Sequence, residues 1–290
     1  MILVIGGTGT IGGELIRLLA GAGAGAGVEF AVLARNEEKA GKLQDQGFRA
    51  VRGDLTDPGS LVGAMAGADT VFLLSPSVRD QGDLQIGAID AARTAGVGRI
   101  VKLSAIGAAP DAPYLLGREH ARAEQYLLAS GLDHTILRPG SFMQNMLLTA
   151  ESIRSRGEFY GSSGSGRIAM IDARDIAAVA FAVLTGRGHE GRTYALSGPE
   201  ALSNDEAAAI LGQALGRAIR YRDIPGPQLR EGMVQGGMPE WLADDLVVLE
   251  GIFAEGGGAE ITGDVEEITG RAPRTFAAFV REYRTAFQPD

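Results

Sequence analysis

The chain has 290 residues, 45% of them apolar, so it can bury the core of one large α/β domain or of a nucleotide-binding domain with a smaller attached lobe. It has no cysteine and only three histidines, without metal-binding spacing, which excludes disulfides and cysteine nucleophiles and leaves no expected metal site. A formal net charge of -9 disfavours nucleic-acid binding, and with neither a membrane-spanning stretch nor a signal-like segment we expect a cytoplasmic protein without membrane contact.

The first 13 residues, MILVIGGTGTIGG, predict a buried strand, a glycine-rich turn and the start of a helix. Glycine lets the backbone turn tightly and lets a pyrophosphate approach, while the N-terminus of the following helix holds the phosphate charge. The alternative is a tight turn that binds nothing, but this strand-turn-helix order is the one that a dinucleotide-binding motif requires. The residues of the motif expected to contact the cofactor are Gly6, Thr8, Gly9, Thr10, Ile11 and Gly12.

The second predicted strand, residues 28–34, ends at Arg35, where a dinucleotide-binding unit meets the adenosine ribose. An acidic residue at this position favours NAD, whereas an arginine suits the 2′-phosphate of NADP. We therefore expect NADP(H) as the favoured cofactor and NAD(H) as the second candidate; the alternative is a solvated arginine that opens the next helix. Before this strand, residues 21–27 alternate glycine and alanine, which predicts a surface connection.

Three further strands are predicted at residues 48–51, 69–74 and 99–103, each separated from the next by a helix. This alternation predicts an α/β fold with a Rossmann-type doubly wound parallel sheet. Ligands of such sheets bind at the carboxyl ends of the strands, so we expect further cofactor contacts there. The expected residues are Asp54 and Leu55 beside the adenine, and Leu74, Ser75, Pro76 and Ser104 towards the nicotinamide.

A sixth strand, residues 135–138, leads into the segment RPGSFMQN, which we expect to reach the nicotinamide and the substrate. The dinucleotide-binding domain would comprise residues 1–139 and 172–196, and a small C-terminal substrate lobe would comprise residues 140–171 and 197–290. Apolar walls with few polar groups suit a flat aromatic substrate. The expected contacts are Pro139 and Gly140 with the cofactor, and Phe142, Met143, Asn145 and Met146 with the substrate.

Three local patterns are predicted in the lobe. Residues 161–166, GSSGSG, predict a flexible connection bordering the substrate. Ser203 and Glu206 have the spacing of a capping box at a helix start. Residues 273–287 predict one helix whose aromatic stripe packs in a core.

Several segments together match one family. They are Gly6–Gly12, Leu33–Arg35, Gly53–Leu55, Ser104, Glu119–Glu124, Leu137–Gly140, Asn145, Asp172–Asp175 and Leu196–Pro199. With them the chain resembles, over essentially its whole length, the NmrA-like branch of the atypical short-chain dehydrogenase/reductases. The narrower pieces, Glu119-His120 and Arg138-Pro139, are similar to those of the NADPH-dependent quinone oxidoreductases of that branch.

The chain departs from the wider family at its catalytic pair. The resemblance implies a Tyr-x-x-x-Lys motif, in which the lysine lowers the pKa of the tyrosine that delivers the proton. When the helix is aligned on Ala121–Glu124, the lysine position holds His120 and the tyrosine position holds Leu116, with Tyr114 nearby but out of phase. The usual proton donor is missing, which argues against ordinary alcohol dehydrogenation.

A quinone relaxes the need for that donor. Hydride addition yields a hydroquinone anion whose conjugate acid is phenol-like, with a pKa of about 10, so a weak donor or water can protonate it. His120, with an unperturbed pKa of about 6.5, could donate this proton or hydrogen-bond the nicotinamide ribose, or it could be a helix residue without chemistry. Ser104 could orient a substrate carbonyl or merely end a strand. The candidate catalytic residues are therefore His120 and Ser104.

The expected function is NAD(P)H-dependent transfer of a hydride to a quinone or quinone-like aromatic ketone without the usual Tyr-Lys pair. The alternative is a non-catalytic, NADP-binding, redox-sensing regulator of the NmrA type, which the missing tyrosine equally allows. The expected binding partner is a small aromatic or quinone substrate. The sequence does not indicate whether the protein is a monomer or an oligomer.

Overall fold

The computed structural model of the chain describes residues 1–26 and 28–288. It divides the chain into two compact units. The first unit comprises Met1–Arg138 and Ile176–Ala195, and the second comprises Pro139–Asp175 and Leu196–Asp290.

Strands and short helices alternate through the first half of the chain, and helices dominate the rest. The strands are β1 (Ile2–Val4), β2 (Phe30–Ala34), β3 (Ala50–Arg52), β4 (Thr70–Leu73), β5 (Arg99–Leu103), β6 (Asp133–Pro139), β7 (Glu158–Gly161), β8 (Arg167–Ile168), β9 (Arg192–Leu196), β10 (Leu202–Ser203) and β11 (Arg220–Asp223). The α-helices are α1 (Thr10–Ala26), α2 (Glu37–Asp45), α3 (Pro58–Met65), α4 (Gln81–Ala95), α5 (Leu115–Ala129), α6 (Ala150–Arg156), α7 (Ala173–Thr185), α8 (Asn204–Leu215), α9 (Gly226–Gln235), α10 (Glu240–Ala254), α11 (Asp264–Thr269), α12 (Phe276–Glu282) and α13 (Arg284–Phe287).

The first unit is built on a seven-stranded sheet in the order β3-β2-β1-β4-β5-β6-β9. The pairings from β3 through β6 are all parallel. Apolar side chains of the sheet, among them Leu3, Val71 and Ile100, are fully buried in one core cluster with residues of α3 and α4. The predicted Rossmann-type parallel sheet is confirmed. Because the strand order reverses between β1 and β4, the ends of these two strands form the point where such sheets bind ligands.

The first helix is longer than the sequence suggested. The prediction of a surface connection over residues 21–27 is wrong for its first six residues, because α1 continues to Ala26, and Gly27 lies outside the described residues. Helix formation is cooperative, so the turns packed into the core through Leu15, Ile16 and Leu19 can propagate through a stretch in which alanine alternates with glycine. Each glycine costs about 1 kcal/mol relative to alanine, which is too little to end the helix at once.

The second unit holds two small sheets, an antiparallel pair of β8 with β10 and a parallel pair of β7 with β11. Its core gathers aromatic side chains of α12 and α13 with apolar residues of α8, including the fully buried Phe276, Phe279 and Phe287. A 3₁₀ helix over Met143–Thr149 precedes α6. The predicted aromatic core is present, but the single helix predicted over residues 273–287 is divided at Tyr283 into α12 and α13.

Of two further predictions for the second unit, the structure confirms one and contradicts the other. The capping box is confirmed, since the Ser203 hydroxyl accepts from the Glu206 N–H and the Glu206 carboxylate accepts from the Ser203 N–H. The prediction that the GSSGSG segment is a flexible connection is wrong, because three of its backbone N–H groups donate hydrogen bonds to side chains of neighbouring elements. The acceptors are Glu250 for Ser162, the Tyr221 hydroxyl for Ser163 and Asp223 for Gly164.

The start of α7 belongs to the second unit, so the boundary expected between residues 171 and 172 falls between 175 and 176. Two aspartates account for the difference. Asp172 accepts from the Gln144 side chain at 2.9 Å and from Arg174, and Asp175 accepts from the Arg274 backbone N–H at 2.7 Å. Both carboxylates are buried, so these hydrogen bonds hold the first turn of α7 to the second unit. Within the described residues, no helix is long and apolar enough to cross a membrane.

Candidate functional site

The turn between β1 and α1 is a glycine cradle at the reversal point of the sheet. Gly6 has a φ of 80°, a left-handed conformation that glycine adopts without strain. A Cβ on Gly12 would lie 2.1 Å from the Gly6 carbonyl oxygen, because the backbone at the start of α1 packs directly against the turn. A Cβ on Gly6 would lie 2.5 Å from the carbonyl oxygen of Leu74, which follows β4. Glycine is therefore required at both positions by close backbone packing.

The outer side of this cradle is open. Thr8, Gly9 and Thr10 are exposed, and a Cβ on Gly9 would meet only the Gly6 carbonyl oxygen, at 3.4 Å. The N-terminal N–H groups of α1 begin here, which is the arrangement that binds phosphate at a helix start. The residues present fit a pyrophosphate. Ile11 is buried in the core, so only its backbone is available to a cofactor.

Arg35 and Asp54 lie at neighbouring strand ends beyond β2 and β3. Arg35 is exposed, and no hydrogen bond or ion pair to its guanidinium is found among the described residues. Asp54 accepts from the backbone N–H and the hydroxyl of Thr56, both at 2.9 Å. These hydrogen bonds, chiefly the backbone one, and the nearby charge of Arg35 hold the pKa of Asp54 below its usual value. Leu55 beside it is half-buried.

At the end of β4, Leu74 and Ser75 are half-buried and Pro76 is exposed. The Gln85 side-chain N–H₂ donates to the Ser75 hydroxyl at 2.7 Å. Gln85 is itself buried, and among the described residues nothing hydrogen-bonds its carbonyl oxygen. The strand end expected to face the nicotinamide is therefore fixed to α4 through this glutamine.

Ser104, which directly follows β5, is hydrogen-bonded to a buried ion pair. Its hydroxyl donates to Glu124 of α5, and Glu124 in turn accepts from Arg138 of β6 through both Nε, at 3.0 Å, and Nη2. Glu124 is 4% exposed, and the carboxylate raises the pKa of Arg138, chiefly through these hydrogen bonds. Because its one proton serves Glu124, Ser104 cannot also donate to a substrate carbonyl. The expectation that Ser104 orients the substrate is therefore corrected to a structural role.

His120 lies between two nitrogen-bearing side chains. Its Nδ1 is 3.2 Å from the Lys102 ammonium nitrogen, and its Nε2 is 3.0 Å from Nε2 of Gln81 on α4. Lys102 is fully buried and also lies 3.4 Å from the Leu103 carbonyl oxygen. Both ring nitrogens of His120 therefore have a partner inside the first unit.

This environment changes the acid-base chemistry expected for His120. Burial, followed by the charges of Lys102 and Arg138, lowers the pKa of His120 well below 6.5. The imidazole is therefore neutral near neutral pH, and the expectation that it acts as an ordinary imidazolium acid there is wrong. Burial also lowers the pKa of Lys102 to about 7, against the attraction of Glu124. Lys102, rather than His120, is the group that changes charge near neutral pH.

Tyr114 does not replace the missing tyrosine of the wider family. It directly precedes α5, is 6% exposed, and its hydroxyl donates to the Ile106 carbonyl oxygen at 3.2 Å. Its position outside the helix matches its being out of phase in the sequence.

The six residues expected after Arg138 lie in the second unit. Gly140 donates its N–H to the Leu196 carbonyl oxygen at 2.9 Å, and Pro139 is buried. Met143 and Met146 belong to the core of the second unit, so their expected role as pocket walls is corrected to core packing. Phe142 is half-buried and Asn145 exposed, so these two side chains stay candidates for substrate contact. Across residues 1–26 and 28–288, no cluster of His, Asp and Glu could hold a metal ion.

The sequence reasoning missed three residues of this site. Lys102 interrupts the apolar residues that follow Arg99 in the strand RIVKL, and that interruption was an available signal, since a lysine is almost never fully buried without a partner. Gln81 carries no signal of its own. Glu124 had been recognised as part of a family segment but had been given no role.

Comparison with known proteins agrees with this geometry. Residues 6–187 match the model of the NAD(P)H-binding family. The chain is 44% identical over 287 residues, 99% of both chains, to the NAD(P)H azoreductase of Xenophilus azovorans.

Solved structures of reductases have the same architecture. The complex of NADPH-dependent quinone oxidoreductase from Escherichia coli with NADPH has a TM-score of 0.89 and 30% identity, covering 98% of this chain and 100% of that one. Triphenylmethane reductase from Citrobacter sp. with NADP(H) has a TM-score of 0.85 and 26% identity, covering 97% and 99%. The chain therefore belongs to the NAD(P)H-binding family and is an oxidoreductase.

Proposed function

We propose that this chain transfers a hydride from NADPH to a quinone or a similarly conjugated acceptor. The observation that carries the proposal is the cradle at the sheet reversal, where Gly12 presses on Gly6 and leaves the start of α1 open to a pyrophosphate. A bound dihydronicotinamide would supply the hydride, and this chain would bind and orient the two reactants.

The cofactor would be held along the carboxyl edge of the first unit. The backbone of the cradle would bind the pyrophosphate, and Arg35 the 2′-phosphate of NADP, with NAD(H) as a weaker alternative. Asp54 and Leu55 would border the adenine. The residues that would border the nicotinamide half are Leu74, Ser75, Pro76 and His120.

The acceptor class follows from the acid-base groups of this chain. Without a Tyr-Lys pair, and with His120 neutral, no strong acid is available for an alkoxide. A hydroquinone anion needs only a weak donor or water. A diarylazo compound is a second candidate acceptor, favoured by the full-length similarity to an azoreductase. Phe142 and Asn145 are proposed substrate contacts, since a flat aromatic acceptor suits an aromatic wall with one amide.

Turnover is the direct test. Anaerobic oxidation of NADPH and of NADH is followed with a panel of quinones, aromatic ketones and azo dyes, and we expect each NADPH consumed to account for one two-electron reduction of the acceptor. Tight dinucleotide binding without turnover on any acceptor would contradict the proposal and leave the redox-sensing regulator as the better account.

Cofactor preference tests Arg35. Arg35→Asp should raise KM for NADPH at least tenfold while changing KM for NADH little, because only NADPH carries the 2′-phosphate. Arg49→Asp is the control, at another exposed arginine, which directly precedes β3 at the amino end of that strand and pairs with Glu29. An unchanged NADPH preference in Arg35→Asp, or an equal loss in the control, would remove Arg35 from cofactor recognition.

We also propose that the protein acts in the cytoplasm on small molecules and not on nucleic acid. The absence of cysteine and the net charge of -9 support both points. A mobility-shift assay with duplex DNA at physiological salt should show no complex.

A further inference from the structure

Lys102, His120 and Gln81 form a continuous hydrogen-bonded chain from β5 across α5 to α4. The distances are 3.2 Å from Lys102 Nζ to His120 Nδ1 and 3.0 Å from His120 Nε2 to Gln81 Nε2. The Leu103 carbonyl oxygen lies at the far end, 3.4 Å from Lys102 Nζ. Which group donates and which accepts in each hydrogen bond depends on the protonation state of Lys102.

With Lys102 neutral, all links run in one direction. The Gln81 amide donates to His120 Nε2, His120 donates its Nδ1–H to the lone pair of the Lys102 amine, and Lys102 donates to the Leu103 carbonyl oxygen. This is the arrangement in which Gln81 presents its nitrogen to the ring, as observed.

With Lys102 protonated, the first two links reverse. An ammonium can only donate, so Nδ1 of His120 becomes the acceptor and the ring proton must sit on Nε2. The Gln81 amide must then turn to present its oxygen. One proton on Lys102 therefore decides which way the Lys102–His120–Gln81 chain runs.

We propose that Lys102 is a positioning residue that sets, through its own protonation state, which ring nitrogen of His120 carries the proton. The tautomer of His120 then determines whether the ring offers a hydrogen or a lone pair at Nε2, on the side of α4. Nothing in the family motif marks Lys102. It lies one residue before the end of β5 and reaches His120 only through the packing of α5 on the sheet.

The charged groups around Lys102 leave it able to exist in both states. Glu124 of α5 attracts its proton, whereas Arg138 of β6 repels it, and these two charges are already paired with each other. Glu119, also on α5, is engaged by the Gly82 N–H and Arg122, and the buried polar side chains of α4, Gln81 and Gln85, carry no charge. Burial then brings the pKa of Lys102 to about 7, so both directions of the chain are accessible near neutral pH.

The consequence for turnover rests on the proposed function. Both ring nitrogens of His120 are occupied, by Lys102 and by Gln81, so a change of its tautomer would act on the nicotinamide half of the cofactor through the turned Gln81 amide and not through a free ring nitrogen. We expect kcat/KM for an accepted quinone to change with a midpoint near pH 7 in the wild-type protein.

The ring state of His120 can be measured without any turnover. Long-range 1H–15N spectra of the 15N-labelled protein between pH 6 and 9 distinguish the tautomers of the three imidazoles, and His120→Gln identifies the resonances of His120. We expect the Nε2–H form at pH 6, the Nδ1–H form at pH 9 and a midpoint near 7. The chain has only three lysines, so 13C-labelled lysine reports the titration of Lys102 in the same samples.

Lys102→Met removes the titrating group while filling its volume. In this variant His120 should keep one tautomer from pH 7 to 9, and its pKa should rise towards 6.5 because the charge of Lys102 is gone. Lys42→Met, at an exposed lysine of α2, is the control and should behave as the wild type. A single His120 tautomer throughout the range in the wild type, or an unchanged midpoint in Lys102→Met, would overturn the proposal.

The pH dependence of the rate separates the two proposals. A break near pH 7 that disappears in Lys102→Met, with KM for NADPH unchanged, supports the link to turnover; a break that persists overturns that link. Failure to reduce any acceptor contradicts the proposed function alone, because the spectra still decide the role of Lys102.

Discussion

Lys102 shows how a single buried group couples stability to pH. Its pKa of about 7 in the folded chain lies far below the value of about 10.4 in an unfolded chain. Between these values the unfolded chain binds a proton that the folded one does not, so this group makes the folded chain more stable as pH rises. Below pH 7 both states are protonated, and the full destabilisation by the buried ammonium applies.

We therefore predict that Lys102→Met stabilises the protein and that the gain depends on pH. The gain in free energy of unfolding over the wild type should be about 2 kcal/mol smaller at pH 9 than at pH 7. Urea unfolding of both proteins at the two pH values measures the difference. A gain that is independent of pH would mean that Lys102 does not titrate in this range.

A substitution in the Glu124–Arg138 ion pair should lower the stability of the protein, whereas Lys102→Met should raise it. Glu124→Gln leaves Arg138 without its buried partner and should destabilise the protein by about 3 kcal/mol, since Arg138 is one-third exposed and regains some water. Asp83→Asn, which removes an exposed partner of Arg122, is the control and should change stability little. Equal unfolding midpoints for Glu124→Gln and the wild type would disprove the structural role given to the pair.

At the scale of elements, the glycine turn serves both backbone packing and ligand approach, and substitutions at different glycines can separate the two. Gly6 and Gly12 are needed for close packing of the turn on α1 and on the end of β4. Gly9 is not, because a Cβ there would meet only the Gly6 carbonyl oxygen at 3.4 Å. Gly9 therefore reports on ligand approach rather than on folding.

We predict that Gly9→Ala folds normally but binds NADPH at least tenfold more weakly, because its Cβ projects where the pyrophosphate approaches. Calorimetric titration gives the affinity, and circular dichroism checks the fold. Gly13→Ala, one turn further along α1 and 3.9 Å from the nearest contact, should bind as the wild type and gain some helix stability. Unchanged binding in Gly9→Ala would place the pyrophosphate elsewhere.

Secondary structure was predictable where pattern and packing agree. Strand β5 has the bounds predicted from the sequence, because it is a short and mostly apolar run with turn residues before it. The C-terminal helix was misjudged because its aromatic stripe continues past Tyr283 while the backbone turns there. A pattern of apolar residues records which side chains are buried, not where the helix axis changes direction.

At the scale of the molecule, two compact units divide the chain, and the residues assigned to the cofactor lie mainly in the first. Binding to the folded state alone stabilises it in proportion to the logarithm of ligand concentration. NADPH at 100 times its dissociation constant should therefore stabilise the protein by about 2.7 kcal/mol.

Hydrogen exchange should locate this effect. We expect NADPH to slow amide exchange in residues 6–13, 74 and 75 of the first unit, while the paired strands β7 and β11 of the second unit keep their rates. Protection confined to the second unit would contradict the cofactor site assigned to the sheet edge. A thermal shift with NADPH but none with ATP provides a control for nonspecific phosphate binding.

The sequence by itself determined the parallel α/β sheet, the glycine cradle and the strand ends at which we propose cofactor binding, because apolar periodicity and glycine spacing are local properties. It also showed that the Tyr-Lys pair is missing. Only the tertiary structure decided what His120 and Ser104 do, since their chemistry depends on Lys102, Gln81 and Glu124, which are distant from them in the chain. Burial and neighbouring charge set a pKa, and both arise only when β5, α4, α5 and β6 are packed together.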